Sequence, residues 1–233
     1  MAADEILILA GGFGTRLRSE VPDLPKPLAP VAGRPFLAYL LDRYAAAGMR
    51  RVILATGYLG DVVEQTIGAR WAGMDVVYSR EETPLGTGGA IAAAARLALG
   101  NGLHVCNGDT YLEYSPAALE AAADGLPMAI ALARVDDVSR YGTVDVEKGR
   151  VLRFHEKRPG GAGLINAGSY FLSAQALASL PDEVSFSFEK QVLEPAVAAG
   201  RVGALVDTAA FIDIGVPEDF RRAQTLFGAM HRA

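Results

Sequence analysis

Short apolar runs alternate with amphipathic segments along the first half of the chain, and this alternation predicts βα units wrapped around a parallel sheet. Ile6–Ala10, Val52–Thr56, Asp75–Tyr78 and Leu103–Asn107 read as strands. The first and last lack polar alternation, as strands buried on both faces do. Three helices are expected between them. Pro35 is placed to open the first at its N1 position and Gly48 to close it. Asp61 is placed to cap the second, and the third is the alanine-rich Ala90–Leu99, stopped by Gly100. Ser115-Pro116 begins a fourth helix in the same way.

After Met128–Arg134 the pattern turns to hairpins. Gly142–Glu147 and Arg150–Glu156 alternate polar and apolar positions, with Lys148-Gly149 between them as a tight turn. Two more strands, Leu164–Leu172 and Val202–Val206, enclose a helix over Phe188–Ala199. The chain closes with Phe211–Ile214 and a helix starting at Pro217. No linker, repeat or low-complexity tract divides the sequence, so one α/β domain with a mixed-sheet second half is expected.

Composition narrows the function classes. The 233 residues carry 22 Lys plus Arg against 27 Asp plus Glu, a formal charge of −5, which lacks the dense basic stripe that nucleic-acid binding needs. Any phosphate is therefore met locally. Of the basic residues 18 are Arg, and the four Lys are Lys26, Lys148, Lys157 and Lys190. A single cysteine, Cys106, cannot form an internal disulfide, and His104, His155 and His231 fit no zinc-ligand spacing. The acidic N-terminus and the polar breaks in the longest uncharged stretch argue against a signal peptide or a membrane span. A cytoplasmic protein is expected.

The candidate chemistry begins where the first strand runs into Leu9-Ala10-Gly11-Gly12-Phe13-Gly14-Thr15-Arg16-Leu17. A glycine-rich turn after a buried strand lets backbone N–H groups approach an anion closely. It lacks the Gly-Lys-Ser/Thr ending of a P-loop and the third glycine of a dinucleotide fingerprint, and a plain strand-to-loop turn is its ordinary alternative. Pro25-Lys26-Pro27 follows, with the lysine held between two prolines and so placed at low entropy cost. In this order and spacing the two motifs resemble the sugar-1-phosphate nucleotidylyltransferases, or NDP-sugar pyrophosphorylases. That resemblance implies a Rossmann-like nucleotidyltransferase fold. Its central sheet would be mixed and mainly parallel, flanked by helices, with a small β-rich sugar-binding lobe.

The resemblance extends along nearly the whole chain and assigns roles. One domain over 1–233 is implied, with 1–135 mainly nucleotide-binding and 136–233 mainly sugar-phosphate-binding. The nucleotide set is Leu9, Ala10, Gly11, Gly12, Gly14, Thr15, Arg16, Lys26, Pro84, Leu85, Gly86, Thr87 and Gly108. Within it Pro84–Ala90 resembles the base-recognition segment, Arg16 is assigned to the triphosphate and Lys26 to phosphates in the transition state. The sugar-phosphate set is Tyr141, Gly142, Glu156, Lys157, Asn166, Gly168, Glu189 and Lys190. Asp109, after Asn107-Gly108, and Asp213, in the closing motif Phe211–Phe220, would together hold Mg²⁺. Arg16, Lys26, Asp109 and Asp213 form the implied catalytic set.

The implied reaction is attack by a sugar-1-phosphate oxygen on the α-phosphorus of a nucleoside triphosphate. It needs charge neutralisation and alignment more than an acid or base. The stretches Ser19–Pro30, Pro84–Ala90 and Phe211–Phe220 look most like the subgroup that transfers GMP from GTP to D-glycero-α-D-manno-heptose 1-phosphate. Such enzymes make GDP-heptose for bacterial capsule, surface-layer or lipopolysaccharide sugars. Mannose-1-phosphate guanylyl transfer and other NDP-sugar pyrophosphorylase activities share much of the pattern. A guanine site needs hydrogen-bond acceptors, which Glu81, Glu82 or local carbonyls offer. A non-catalytic sugar-nucleotide sensor on the same fold is the competing class, and a homodimer is left open. Neither nucleic acid nor membrane is an expected partner.

Overall fold

The structure, a computed structural model, describes residues 3–12, 14–17, 20–157 and 160–230. Phe13 and Ser19 of the motifs above, the Thr15 side chain and His231 lie outside the described residues. Strand β1 (Glu5–Leu9) has no wet face. Ile6 and Ile8 point into an apolar cluster shared with Phe36, Leu37 and Phe227, and Leu7 points into a second cluster with Ala90, Ile91 and Phe188. This two-sided burial is why the run lacks polar alternation.

A two-stranded ribbon, β2 (Pro30–Val31) with β3 (Arg34–Pro35), leads into helix α1 (Phe36–Ala46). Pro35 is the extended residue before this helix rather than its first helical position, because it still pairs with Pro30. Strand β4 (Arg51–Thr56) precedes α2 (Gly60–Ile67). The residue before α2 is Leu59 in the left-handed region, so Asp61 is not the cap. It sits in the first turn, where its carboxylate pairs with Arg80 at 3.0 Å. Strands β5 (Arg70–Trp71) and β6 (Met74–Arg80) follow.

Helix α3 spans Gly86–Ala95, four residues earlier at both ends than the alanine pattern predicts. Its glycine-rich start is held by tertiary contacts described below. Beyond its end the buried Glu5 carboxylate accepts the N–H groups of Leu99 and Gly100, at 2.7 Å each, and pairs with Arg51 at 2.7 Å. Strands β7 (Gly102–Asn107) and β8 (Thr110–Leu112) lead to α4 (Pro116–Ala123), where Ser115 caps as expected by accepting from Ala118 N–H at 3.3 Å.

The second half contributes β9 (Met128–Val135), the hairpin β10 (Thr143–Glu147) and β11 (Arg150–His155), and β12 (Gly163–Ser173). Lys148 and Gly149 both have positive φ in the hairpin turn, as a two-residue connection requires. A short helix α5 (Ala174–Ala178), a π-helical turn over Glu189–Leu193 and α6 (Glu194–Ala198) lead into β13 (Val202–Leu205). Strand β14 (Phe211–Asp213) and α7 (Pro217–Met230) finish the fold.

Ten strands form one sheet in the order β10-β11-β13-β9-β12-β7-β1-β4-β6-β5. Strands β7, β1, β4 and β6 run parallel; β12 is antiparallel to both β7 and β9, so the β7–β12 pair ends that parallel run, while β13 pairs parallel to β9 and β5 antiparallel to β6. Among the described residues no helix is long and apolar enough to cross a membrane.

Candidate active site

The carboxyl ends of β1, β4, β6 and β7 lie along one edge of the sheet, the edge where open α/β sheets bind ligands. The loop after β1 starts there. Gly11 packs against the neighbouring strand ends: a Cβ on it would lie 2.8 Å from Glu81 Oε1 and 3.2 Å from Gly57 N. Gly14 rests on the stem of Lys26, which begins a 3₁₀ turn over Lys26–Leu28 after the extended Pro25.

Lys26 Nζ pairs directly with Asp109 Oδ2. Asp109 is delivered by β7, whose Gly108 N–H donates to Leu9 O on β1 at 2.9 Å. The antiparallel β8–β14 pair then places Asp213 opposite Thr110, and Ile214 N–H donates to Asp109 O at 2.9 Å. Asp213 Oδ1 accepts from Gly215 N–H at 2.6 Å. Burial raises the Asp213 carboxyl above its ordinary range, and the Asp109 charge adds to the rise while Lys26 opposes it. Two carboxylates 104 positions apart in sequence thus share one spot with a lysine, and the arrangement calls for positive charge.

Two cavities meet at this cluster. The first, about 530 Å³, is lined by the predicted residues Leu9, Ala10, Gly11, Gly12, Lys26, Pro84, Gly86, Thr87 and Asp109. Thr15 apart, whose side chain is outside the described residues, four predicted nucleotide residues do not line it. Gly14 and Gly108 support Lys26 and β1 from behind, and Leu85 is used in backbone contacts. Arg16 instead lines the second cavity. That cavity, about 1180 Å³, is bounded by Tyr141, Gly142, Glu156, Lys157, Asn166, Glu189 and Asp213, again predicted residues. The Lys26–Asp109–Asp213 cluster is the partition, with Lys26 and Asp109 facing one side and Asp213 the other.

Two predicted sugar residues line neither cavity. Gly168 has φ +65 inside the β12 bulge, and a Cβ there would collide with the Asn107 amide at 2.1 Å, so its role is to let Asn107 pass. Lys190 is exposed, and its N–H donates to Ser187 Oγ at 3.3 Å. Asn166 lies between, donating from Nδ2 to Tyr170 Oη at 2.9 Å and accepting from Gly168 N–H at 2.8 Å.

Glu81 and Glu82, the side chains offered as acceptors for a guanine base, both line the first cavity; partial burial raises the Glu81 carboxyl, and Leu85 N–H donates to it at 3.2 Å. Gly57, Tyr58 and Asn107, to which the sequence assigned no role, also face this cavity. Their signal is positional: each lies at or just after the end of a parallel strand. In the second cavity, Arg140 is held by the buried Asp219 at 2.6 Å and lies 5.6 Å from the Tyr141 ring centre. His155 Nε2 and Asp145 Oδ2 are 2.6 Å apart across the hairpin. No local motif announces either pair.

Two cavities thus adjoin one lysine and two carboxylates, with Lys26 and Asp109 on the first and Asp213 on the second. The family model for nucleotidyl transferases matches residues 5–228. The chain is 38% identical over 225 residues to the D-glycero-alpha-D-manno-heptose 1-phosphate guanylyltransferase of Aneurinibacillus thermoaerophilus, covering 94% of this chain and 96% of that one. It is 37% identical over 225 residues to the mannose-1-phosphate guanylyltransferase of Mycobacterium tuberculosis, covering 94% of this chain and 63% of that one. Among solved structures, HddC from Yersinia pseudotuberculosis complexed with GMP-PN matches with a TM-score of 0.85 at 37% identity, over 96% of this chain and 99% of that one. The chain belongs to the nucleotidyl transferase family.

Proposed function

We propose that the protein transfers GMP from GTP to D-glycero-α-D-manno-heptose 1-phosphate, releasing pyrophosphate and forming GDP-heptose for surface polysaccharide synthesis. The carrying observation is the meeting of two cavities at Lys26, Asp109 and Asp213. The likeness to heptose 1-phosphate guanylyltransferases supports the choice of substrates. The first cavity takes the nucleotide and the second takes the sugar phosphate, so residues 1–135 supply most of one wall and 136–233 most of the other. A cytoplasmic location suits an enzyme fed by GTP.

In this reading the sugar phosphate and triphosphate approach from opposite sides of the partition. Lys26 neutralises phosphate charge as it builds up in transfer, and Arg16 and Lys157 meet anionic groups on the acceptor side. Asp109 and Asp213 fit a hard divalent cation such as Mg²⁺: both offer carboxylate oxygens, and their two negative charges face each other across the Lys26 ammonium. Among the described residues no third His, Cys, Asp or Glu joins them, so phosphate oxygens and water would complete the shell. When bound, the cation would screen the phosphates and hold them in line.

Glu81 and Glu82 both line the first cavity, and Glu81 is the acceptor for the guanine N1–H and N2–H donors because it is the half-buried one of the two. A site built to pair those donors rejects a base lacking them more strongly than an acceptor pocket rejects one missing sugar carbon, worth only about 1–3 kcal/mol. The test is pyrophosphate release from GTP, ATP, UTP and dTTP against heptose-, mannose- and glucose-1-phosphates, with wild type and Glu81→Gln. We expect strong GTP preference in the wild type and roughly tenfold or greater loss of that preference in the variant. Preference for UTP or dTTP would refute guanylyl transfer. Ligand binding without metal-dependent turnover would identify a sensor instead. Mannose 1-phosphate is the second acceptor reading, favoured by the 37% identity to a mannose-1-phosphate guanylyltransferase.

A further inference from the structure

The two cavities are tied together a second time, away from the charged cluster. Residues 184–188, just ahead of the π turn, lie across the first turn of α3. Gly88 N–H donates to Phe186 O at 2.9 Å, and Phe186 N–H donates to Leu85 O at 3.0 Å. A Cβ on Gly88 would sit 2.1 Å from the Phe186 ring, and one on Gly89 would sit 2.3 Å from Val184 O. The glycines at this helix start are therefore where the strap is seated.

Thr87 completes the connection. Its hydroxyl oxygen accepts from Phe188 N–H at 3.0 Å and its O–H donates to Glu189 Oε2 at 2.7 Å. Ser187 Oγ donates to the same carboxylate oxygen at 3.0 Å. Glu189 begins the π turn, a geometry that recurs at functional sites. Its other oxygen, Oε1, has no hydrogen bond among the described residues, and Glu189 lines the acceptor cavity. Thr87 itself lines the nucleotide cavity.

A carboxylate fixed through one oxygen by two hydroxyls has already lost its rotamer freedom, so its second oxygen can receive a sugar hydroxyl without a further ordering cost. We propose that Thr87 is a positioning residue for the acceptor sugar, holding Glu189 in its binding orientation and carrying the order of the nucleotide wall into the acceptor cavity. This rests on the reading that Glu189 faces the acceptor. A nucleotide seated against the first turn of α3 stills Thr87, and the sugar phosphate then meets a carboxylate that is already in place.

The test measures KM for GTP and for D-glycero-α-D-manno-heptose 1-phosphate by pyrophosphate release, using the full chain. The variants are Thr87→Val, Thr87→Ser, Glu189→Gln and the Thr87→Val/Glu189→Gln double. Thr87→Val should raise the sugar-phosphate KM about tenfold, the scale of one hydrogen bond to a charged group, with a clearly smaller rise in the GTP KM. Thr87→Ser, which keeps the hydroxyl, should restore it. The double variant should be no worse than Glu189→Gln, since both remove one device. Should Thr87→Val fail to fold, Thr87→Ala must give the same split between the two KM values. A rise in the GTP KM alone would overturn the proposal. So would a Glu189→Gln effect that neither Thr87→Val nor Thr87→Ala reproduces, and that result would leave Glu189 as an acceptor residue. No effect of Glu189→Gln on the sugar-phosphate KM would overturn the reading of Glu189 itself.

Discussion

The wall we propose for the nucleotide and the wall we propose for the acceptor are built by different rules. On the first, Gly11, Gly57, Glu81 and Asn107 all lie at or within two residues of the ends of parallel strands β1, β4, β6 and β7. Parallel pairing alone brings these positions to one edge. On the acceptor side, Tyr141 precedes β10, Glu156 follows β11, Asn166 sits beside a bulge in β12, and Glu189 opens a π turn. Nothing short of the full pairing scheme brings them to one cavity. One wall is decided by local motifs and the other by topology, and the partition between them belongs to both: Lys26 and Asp109 come from the first half and Asp213 from the second.

If the partition is where the chemistry happens, damage there should outweigh damage to either wall. Lys26→Ala and Asp109→Ala should each lower kcat by roughly 10²–10³-fold, the usual cost of removing one preorganised electrostatic partner. Single-turnover pyrophosphate release at saturating substrates checks this. Near-normal turnover in either variant would move the reaction away from the partition.

The end of the parallel run β7-β1-β4-β6 offers a different way to set the halves against each other. His104 on β7 lies opposite Ile6 on β1 and Phe171 on β12, between a parallel and an antiparallel neighbour. It is fully buried, its ring lies 5.3 Å from that of Phe171, and neither ring nitrogen has a hydrogen-bond partner among the described residues. Burial, with help from the Arg43 charge, lowers its pKa to about 4. An unfolded histidine titrates near 6.5, so between about pH 6.5 and 4 the unfolded chain takes up a proton that the folded chain refuses. Stability from this group is present above pH 6.5 and is lost as pH falls through that window. The loss should reach about 2–3 kcal/mol at pH 4.5 as an upper bound. Urea unfolding at pH 7.5 and 4.5 should show that extra acid sensitivity in the wild type and not in His104→Leu. Equal sensitivity in the two would remove His104 from the account.

The same contrast explains what could be read from the residues in order. The strands of the first half are legible because burial on both faces leaves an unbroken apolar run, and the glycine loop and Pro-Lys-Pro are legible because they are contiguous. Helix α3 is misplaced by the alanine pattern because propensity favours Ala90–Leu99, while the strap over residues 184–188 and the Glu5 carboxylate set its actual ends. Asp61 looks like a cap because the left-handed turn at Leu59 has no sequence signature. The Arg140–Asp219 pair, 79 positions apart in sequence, depends on α7 docking beside the loop before β10. Periodicity does not report such docking. Asp213 is legible only through its motif, since its partner Asp109 is set by the β8–β14 register.

Glu189 and Lys190 give the finest version of the comparison, since the sequence cannot separate them and the fold does. The π turn directs Glu189 toward Thr87 and the second cavity, whereas Lys190 is exposed, lines neither cavity and, among the described residues, engages through its backbone N–H. An exposed side chain that lines neither cavity makes no contact there, and salt screens its charge. Lys190→Ala should therefore change kcat/KM for the sugar phosphate by less than about twofold. A tenfold fall that persists in 0.5 M salt would mean that Lys190 reaches the sugar phosphate directly. The acceptor wall would then begin one residue further along the π turn.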